Sequence, residues 1–460
     1  MENHSPKQAP VRKVHFIAIG GSAMHNLALA LAHQGIEVSG SDDVIFEPSK
    51  TRLKAQGILP AEMGWFPERL TSDIDAVILG MHAKPDNPEL LRAQEMGLNV
   101  LSYPEYIYHH AQHKTRVVIA GSHGKTTITS MVLHVLHQCG MEVDYLVGAQ
   151  LEGFDRMVHL TTENAFMLIE GDEYLSSPID RRPKFHWYQA NIALISGIAW
   201  DHINVFPTQE SYDDQFRQFI DLMVPGGSLV YCQDDAKVAA LAEQTDRHLK
   251  RIPYTLPEHE VVDGVTYLET PEGLMPLSVF GPHNLSNLAG ARWVCQLMGI
   301  DELDFYNAIA SFKGAAKRLE LVKRHGSGFV YKDFAHAPSK VLATTAAVRA
   351  QFPQHKLVVA LELHTYSSLN PAFLPEYRHT LAGADQAVVF YDPEALAIKR
   401  MDEVAPSAVS EAFDHPGLRV FTTPQQVAEL FYGIDLAQTV VLMMSSGHFG
   451  GLDLSLIGTK

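Results

Sequence analysis

Cysteine is scarce in this chain of 460 residues: it has only Cys139, Cys232 and Cys295, and no two of them form a C-x-x-C pair. So odd and sparse a set argues against a disulfide framework and suits reduced thiols in a cytosol. Long apolar runs are absent as well. None reaches the ~20 residues of a membrane span, and the opening MENHSPKQAPVR is polar, without the apolar core of a signal peptide. Positive charge is in deficit, with 36 Lys and Arg against 53 Asp and Glu and a net charge of −17. That argues against non-specific binding to nucleic acid or membrane, which wants a basic surface. Anionic ligands stay open, because loops and helix N-termini hold phosphate locally. No repeat array or low-complexity tract is found. The expectation is a soluble cytoplasmic protein, a monomer or weak homo-oligomer, acting on small molecules.

With 46% hydrophobic and 19% charged residues, the chain has the composition of a globular protein, and it is too long for one ordinary domain. Short apolar runs alternate with longer amphipathic segments, the pattern of α/β folds with parallel sheets. Three segments read as domain openings. In VHFIAIGGSAMHNLALALAHQG, a strand from Val14 to Ile19 meets a Gly20-Gly21 turn, and Met24, Leu27, Ala28 and Leu31 then recur at helical spacing. The next strand, IEVSGSD, ends in Asp42. In TRVVIAGSHGKTTITSMVLHVLHQCG, a buried strand reaches Ala120 and a helix follows Lys125. The third opening, GFVYKDFAHAPSKVLATTAAVRA, leads to the strands KLVVALELH, QAVVFYDP and TVVLMMSSGHFGG. Boundaries fall near residues 114 and 320, giving units of 1–113, 114–320 and 321–460.

The stretch AGSHGKTTITSM carries the first chemistry. A Gly-Lys-Thr tripeptide alone is usually a solvated turn. Here a buried strand precedes it and an amphipathic helix follows at once, the context a phosphate-binding loop requires. Gly121 and Gly124 leave backbone N–H groups free to point inward, Lys125 supplies a point charge for the β- and γ-phosphates, and the Thr126 hydroxyl can ligate Mg²⁺. The usual first glycine of such a loop is Ile119 here, so the loop is shorter than in GTPases.

Further along, FMLIEGDEY places Glu170, Asp172 and Glu173 at a strand end, either a solvated acidic turn or a Mg²⁺ carboxylate facing the loop. GIAWDHINVF follows the apolar run NIALIS. FGPHNLSNLAGA reads locally as a helix start with Asn284 or Ser286 as cap. FKGAAKRLE and KDFAHAP follow. Taken in order from about residue 14 to 451, these segments resemble the motifs of the Mur ligase family, enzymes that extend the peptide of bacterial cell-wall precursors. The resemblance implies a three-domain α/β architecture: a Rossmann-like N-terminal domain for UDP-N-acetylmuramate, a central P-loop ATPase domain with a mostly parallel sheet, and a Rossmann-like C-terminal domain for the acceptor.

It also implies roles. Gly121, Ser122, His123, Gly124, Lys125, Thr126 and Thr127 would hold ATP, with His283, Asn284 and Asn287 on its adenosine half. Arg318 would face the γ-phosphate and Asp333 would contact ATP. Thr126, Glu173 and His202 would ligate Mg²⁺, and Lys125, Glu173, His202 and Arg318 form the catalytic set. Two departures stand out: Gly197 replaces the usual Asn, and Lys332 replaces the first Asp of D-[DY]-x-A-H-x-P.

AIGGSAM invites a dinucleotide reading, with Asp42 at the ribose position about 20 residues on. An NAD-dependent oxidoreductase is therefore the rival, but two of the three fingerprint glycines are Ala18 and Ala23, and NAD does not explain the P-loop. The segment is similar to the family's UDP-sugar loop, which assigns Gly20, Gly21, Ser22, Ala23, Met24, His25 and Asp42 to UDP-N-acetylmuramate, with His82 beside the sugar.

The phosphate has a chemical purpose. A carboxylate does not react with an amine at neutral pH, because its leaving group is poor; an acyl phosphate does. Two members of the family start from UDP-N-acetylmuramate. One adds L-alanine, and the other adds the recycled tripeptide L-alanyl-γ-D-glutamyl-meso-diaminopimelate. MSSGHFGG looks like the tripeptide enzyme's loop, whereas the His364-x-Tyr366 stretch resembles the alanine enzyme. The tripeptide is favoured, with His336, His364 and Ser446 on the acceptor side.

Overall fold

Strands form where branched apolar residues run together, and each chain crossing carries a helix over the sheet. The computed structural model describes residues 11–148, 154, 156–201, 205–262, 264–315, 318–398, 401–402 and 404–459. Its first sheet has four parallel strands in the order Glu37–Ser41, Lys13–Ile17, Ala76–Leu79, Val100–Ser102. The chain leaves Lys13–Ile17 to one side and returns to the other, so a crevice opens at that strand's carboxyl end. The Gly20-Gly21 turn lies there, and the helix Ser22–His33 starts from it, burying Met24, Leu27, Ala28 and Leu31.

The second sheet has seven strands, ordered Lys250–Tyr254, Ser228–Cys232, Ile192–Ile195, Thr115–Ala120, Phe166–Glu170, Asp144–Leu146, Val158–His159. All neighbours are parallel except the last pair. Thr115–Ala120 is central, and its flanking strands arrive from opposite directions of chain travel, so a second crevice opens at its carboxyl end. Arg116 fixes the junction with the first sheet: its guanidinium donates to the carbonyls of Ala111, Gln112 and Lys114 on one side and of Tyr188 and Gln189 on the other.

A three-stranded antiparallel meander, His259–Val262, Val265–Thr270 and Gly273–Leu277, follows. The last sheet has six strands, ordered Glu320–His325, Gly328–Asp333, Thr439–Met444, Lys356–Glu362, Gln386–Phe390, Leu418–Phe421. Only its first pair is antiparallel. The loops after Asp333, Glu362 and Met444 therefore gather at one end. This is the three-domain α/β layout expected from the sequence.

Candidate active site

The central strand ends at Ala120 and the backbone turns sharply. Gly121 (φ +127°) and Gly124 (φ +79°) both occupy the region that side chains avoid. Space reinforces the requirement. A Cβ on Gly121 would collide with Ser196 Oγ, and one on Gly124 with Asn287 Oδ1. The neighbouring strand end pins the loop: Ser122 N donates to Gly197 O at 2.9 Å, and Ser196 Oγ donates to His123 O. The helix Lys125–Gln138 starts at Gly124 without a side-chain cap, so its first N–H groups face the turn. That is a cradle for an anion, and its form suits a nucleotide's phosphates.

The acidic residues are divided between two partners. Lys125 Nζ donates to Glu173 Oε2 at 2.6 Å and to Gly121 O at 2.6 Å. Tyr212 OH donates to Glu173 Oε1 at 2.9 Å and lies 3.0 Å from Ser122 Oγ. Thr126 Oγ1 donates to Glu170 Oε1 at 2.7 Å, and Glu170 Oε2 accepts from Gly148 N at 2.8 Å. The Thr126 hydroxyl thus meets Glu170, while Lys125 and Tyr212 hold Glu173. Burial alone would lower the pKa of Lys125, but Glu173, then Asp172 and Glu170, outweigh it and raise it. Asp172 is held far below its ordinary value, against burial, by Lys184 at 2.5 Å and by Lys125. His202 lies outside the described residues. Among the described residues, no group of three or more His, Cys, Asp or Glu side chains comes together to hold a metal ion.

The residues expected on the adenosine side lie on the helix Pro282–Leu297. Asn287 abuts Gly124; His283 is half-buried, its Nδ1 is enclosed with no partner among the described residues, and desolvation lowers its pKa to about 4. The expected cap is corrected: Gly281 (φ +89°) precedes Pro282 at the first helical position, no side-chain cap is present, and Asn284 Nδ2 donates to Phe280 O instead. Glycine at the cap position has no side chain to accept from the first turn.

From the C-terminal domain, His123 Nε2 meets Ser339 Oγ at 2.7 Å, and Lys340 Nζ lies 3.4 Å from Asp201 Oδ2. Burial lowers the His123 pKa to about 3. The Arg318 guanidinium sits 4.8 Å over the Phe334 ring. Asp333 is a brace: its two oxygens accept from Leu319 N and Ala335 N, both at 2.7 Å. His336 Nδ1 lies 2.8 Å from Phe334 O, its carbonyl accepts from Tyr377 OH, and burial lowers its pKa to about 4. Both departures gain a reason. A Cβ at Gly197 would press on Asp235 Oδ2 at 3.2 Å, and Lys332 pairs with Glu320 at 2.8 Å across the antiparallel strands.

In the first crevice, Gly21 and His82 are close, a Cβ on Gly21 meeting His82 Cδ2 at 3.8 Å. Ser22 and Ala23 begin the helix. Asp42 Oδ2 accepts from Gly20 N at 2.7 Å, and the carboxyl is buried. His25 is turned inward, with Nδ1 2.9 Å from Gly21 O and 3.0 Å from Ser49 Oγ, so it shapes the turn from behind. At the far crevice, Glu362 Oε2 accepts from Ser445 Oγ and from Phe449 N at 2.8 Å. Ser446 Oγ is buried without a partner among the described residues, and His364 Nδ1 stands 3.9 Å from Glu362 Oε1.

Sequence reading missed Tyr212, Ser196, Ser339 and Lys340. Tyr212 sits mid-helix in Gln209–Asp221 and looks like core. Only the burial of its hydroxyl between Ser122 and Glu173 marks it.

The chain's likeness to known proteins agrees. The Mur ligase family, catalytic domain, matches residues 13–115, and the Mur ligase middle domain matches residues 119–295. The UDP-N-acetylmuramate–L-alanine ligase of Carboxydothermus hydrogenoformans is 30% identical over 391 residues, 82% of this chain and 81% of that one. The UDP-N-acetylmuramate–L-alanyl-gamma-D-glutamyl-meso-2,6-diaminoheptandioate ligase of Escherichia coli is 28% identical over 460 residues, 97% of each. Among solved structures, UDP-N-acetylmuramate-alanine ligase from Thermotoga maritima has a TM-score of 0.69 at 20% identity, covering 95% of this chain and 96% of that one. A murein peptide ligase from Psychrobacter arcticus has 0.65 at 21%, covering 97% and 98%. The P-loop geometry and these relatives lead to one conclusion: the chain belongs to the Mur ligase family, the ATP-dependent amide-forming ligases of peptidoglycan synthesis and recycling.

Proposed function

We propose that this enzyme joins the lactyl carboxylate of UDP-N-acetylmuramate to the amine of L-alanyl-γ-D-glutamyl-meso-diaminopimelate, in the cytoplasm, with ATP and Mg²⁺. The observation that carries the acceptor is the MSSGHFGG loop folded over the buried Glu362, which holds both Ser445 and Phe449. It leaves Ser446 Oγ buried and without a partner among the described residues, and sets the next residue, Gly447, against the half-exposed His364, polar groups suited to an extended acceptor. The second reading is free L-alanine as acceptor, favoured by the His364-x-Tyr366 stretch and by the L-alanine ligases among the relatives. An oxidoreductase is disfavoured because two of the three fingerprint glycines are Ala18 and Ala23 and one oxygen of Asp42 is already engaged by Gly20 N.

ATP is a substrate here. A lactyl oxygen bonds to the γ-phosphorus while the bond to the β–γ bridging oxygen breaks, and that electron pair leaves with ADP. The amine nitrogen then attacks the acyl carbon, and phosphate departs with the former C–O pair. Lys125 neutralises the phosphate chain at the glycine turn, and Arg318 carries charge on the transferring group. Thr126 and Glu173, with His202, would hold Mg²⁺, which supplies further charge neutralisation when bound; the Thr126 hydroxyl and the carboxylates of Glu170 and Glu173 are the oxygen donors a hard cation takes. The Gly20-Gly21 turn and the N-terminus of Ser22–His33 would grip the diphosphate of the UDP-sugar. Three domains closing together would exclude water that wastes the activated acid. Incubation with ATP, UDP-N-acetylmuramate and each acceptor, with phosphate counted, tests the assignment: release with the tripeptide supports it, and release with L-alanine alone replaces it by the second reading.

A further inference from the structure

Lys340 breaks a local rule. It is the third residue of the helix Pro338–Gln351, so its ammonium lies in the first turn, where the helix dipole disfavours cations. Its one hydrogen-bonding partner among the described residues is Asp201, at a long 3.4 Å. Burial pushes its pKa down, and the charges of Lys125 and Arg318 push it further, against the pull of Asp201 and Glu173. Lys125 already holds Glu173 at 2.6 Å, whereas Lys340 meets Asp201 at only 3.4 Å, so the charge of Lys340 is the more loosely held and the more readily given to an incoming anion. The placement is also fixed: the preceding residue, Ser339, bonds His123 of the glycine turn at 2.7 Å, which ties the start of the lysine's helix to the phosphate loop.

We propose that Lys340 is a further catalytic residue of the ligation, contacting the phosphoryl group as it passes from ATP to the sugar-borne carboxylate. The assignment rests on the ligase reading above. While the new P–O bond forms and the bridging P–O bond breaks, negative charge spreads over the three equatorial phosphoryl oxygens. Lys340 leaves Asp201 for those oxygens and transfers no proton. The C-terminal domain thereby contributes a charge to the activation step as well as a pocket for the acceptor.

The test compares wild type, Lys340→Met and Lys340→Arg in two assays. Turnover is measured with ATP, UDP-N-acetylmuramate and the accepted amine. Calorimetry measures ADP binding with and without aluminium fluoride, a mimic of the phosphoryl group in transfer, in the presence of UDP-N-acetylmuramate. Lys340→Met is expected to lower kcat about 100-fold with the KM for ATP changed less than about threefold, and Lys340→Arg to recover much of the loss. Aluminium fluoride should tighten ADP on wild type and Lys340→Arg more than on Lys340→Met, while ADP alone binds all three equally. A kcat for Lys340→Met equal to wild type, or an equal loss of ADP affinity with and without aluminium fluoride, overturns the assignment. Should Lys340→Met not fold, Lys340→Gln takes its place under the same criteria. A wild type that releases phosphate with neither acceptor sinks the ligase reading itself; an active wild type with an indifferent Lys340→Met sinks only this assignment.

Discussion

Lys125 Nζ stands 2.6 Å from Glu173 Oε2, and both groups are largely removed from solvent. On the proposed reading, the pair holds in a defined position the charge that would meet a nucleotide's phosphates. Removing one partner strands the other. Lys125→Ala is expected to abolish ATP turnover and also to destabilise the fold, since an unpaired buried charge costs about 3–5 kcal/mol. Lys125→Ala/Glu173→Gln should recover melting temperature and no activity, which thermal unfolding and phosphate release together check.

Tyr212 joins the loop to the same carboxylate. Tyr212→Phe leaves Ser122 Oγ and Glu173 Oε1 each short of a partner, at an expected cost of about 1–3 kcal/mol. Urea unfolding measures it. A raised KM for ATP with little change in kcat is the companion kinetic result, because the hydroxyl orders the loop and does not touch reacting atoms.

Gly124→Ala places a Cβ on Asn287 in a backbone conformation costing roughly 1–2 kcal/mol for an L side chain. ATP affinity should fall at least about tenfold by the same arithmetic, the loop being displaced from its helix N-terminus. Nucleotide titration is the measurement. Gly140→Ala, at a positive φ with open space around it, should share the strain and leave ATP affinity unchanged.

Acid should destabilise the protein before the carboxylates titrate. His123, His283 and His336 are held near pKa 3, 4 and 4 by burial. In the unfolded chain a histidine takes its proton near pH 6.5. The unfolded state therefore binds more protons between about pH 6.5 and 4, and stability is full above that window and lost as pH falls through it. Each histidine contributes at most about 1.4 kcal/mol per pH unit. Melting curves at pH 7.5, 6 and 5 follow it, and His283→Gln should flatten the slope.

The glycine turn, its lysine and the parallel order of strands were legible because each is written in contiguous residues: strand, turn, helix start. What failed to show depends on distant segments meeting. The Thr126–Glu170 bond spans 44 residues and Ser122–Tyr212 spans 90, and no local pattern distinguishes Glu170 from Glu173 as the threonine's partner. The Asn284 cap failed because the helix starts earlier, at Pro282, which puts Gly281, a residue without a side chain, at the cap position and Asn284 inside the first turn. The meander from His259 to Leu277 escaped because its strands are short and largely solvent-facing, so alternation is weak. That Asp42 and His25, expected at the UDP-sugar, also bond the glycine turn itself was not legible, because each contact depends on how the turn folds.

The most direct measurement is phosphate released from ATP by the purified enzyme with UDP-N-acetylmuramate and either the tripeptide or L-alanine, alongside Lys125→Ala. Release that requires both co-substrates, prefers the tripeptide and disappears in Lys125→Ala is the expected result. Release undiminished in Lys125→Ala, or independent of the amine, would contradict the account.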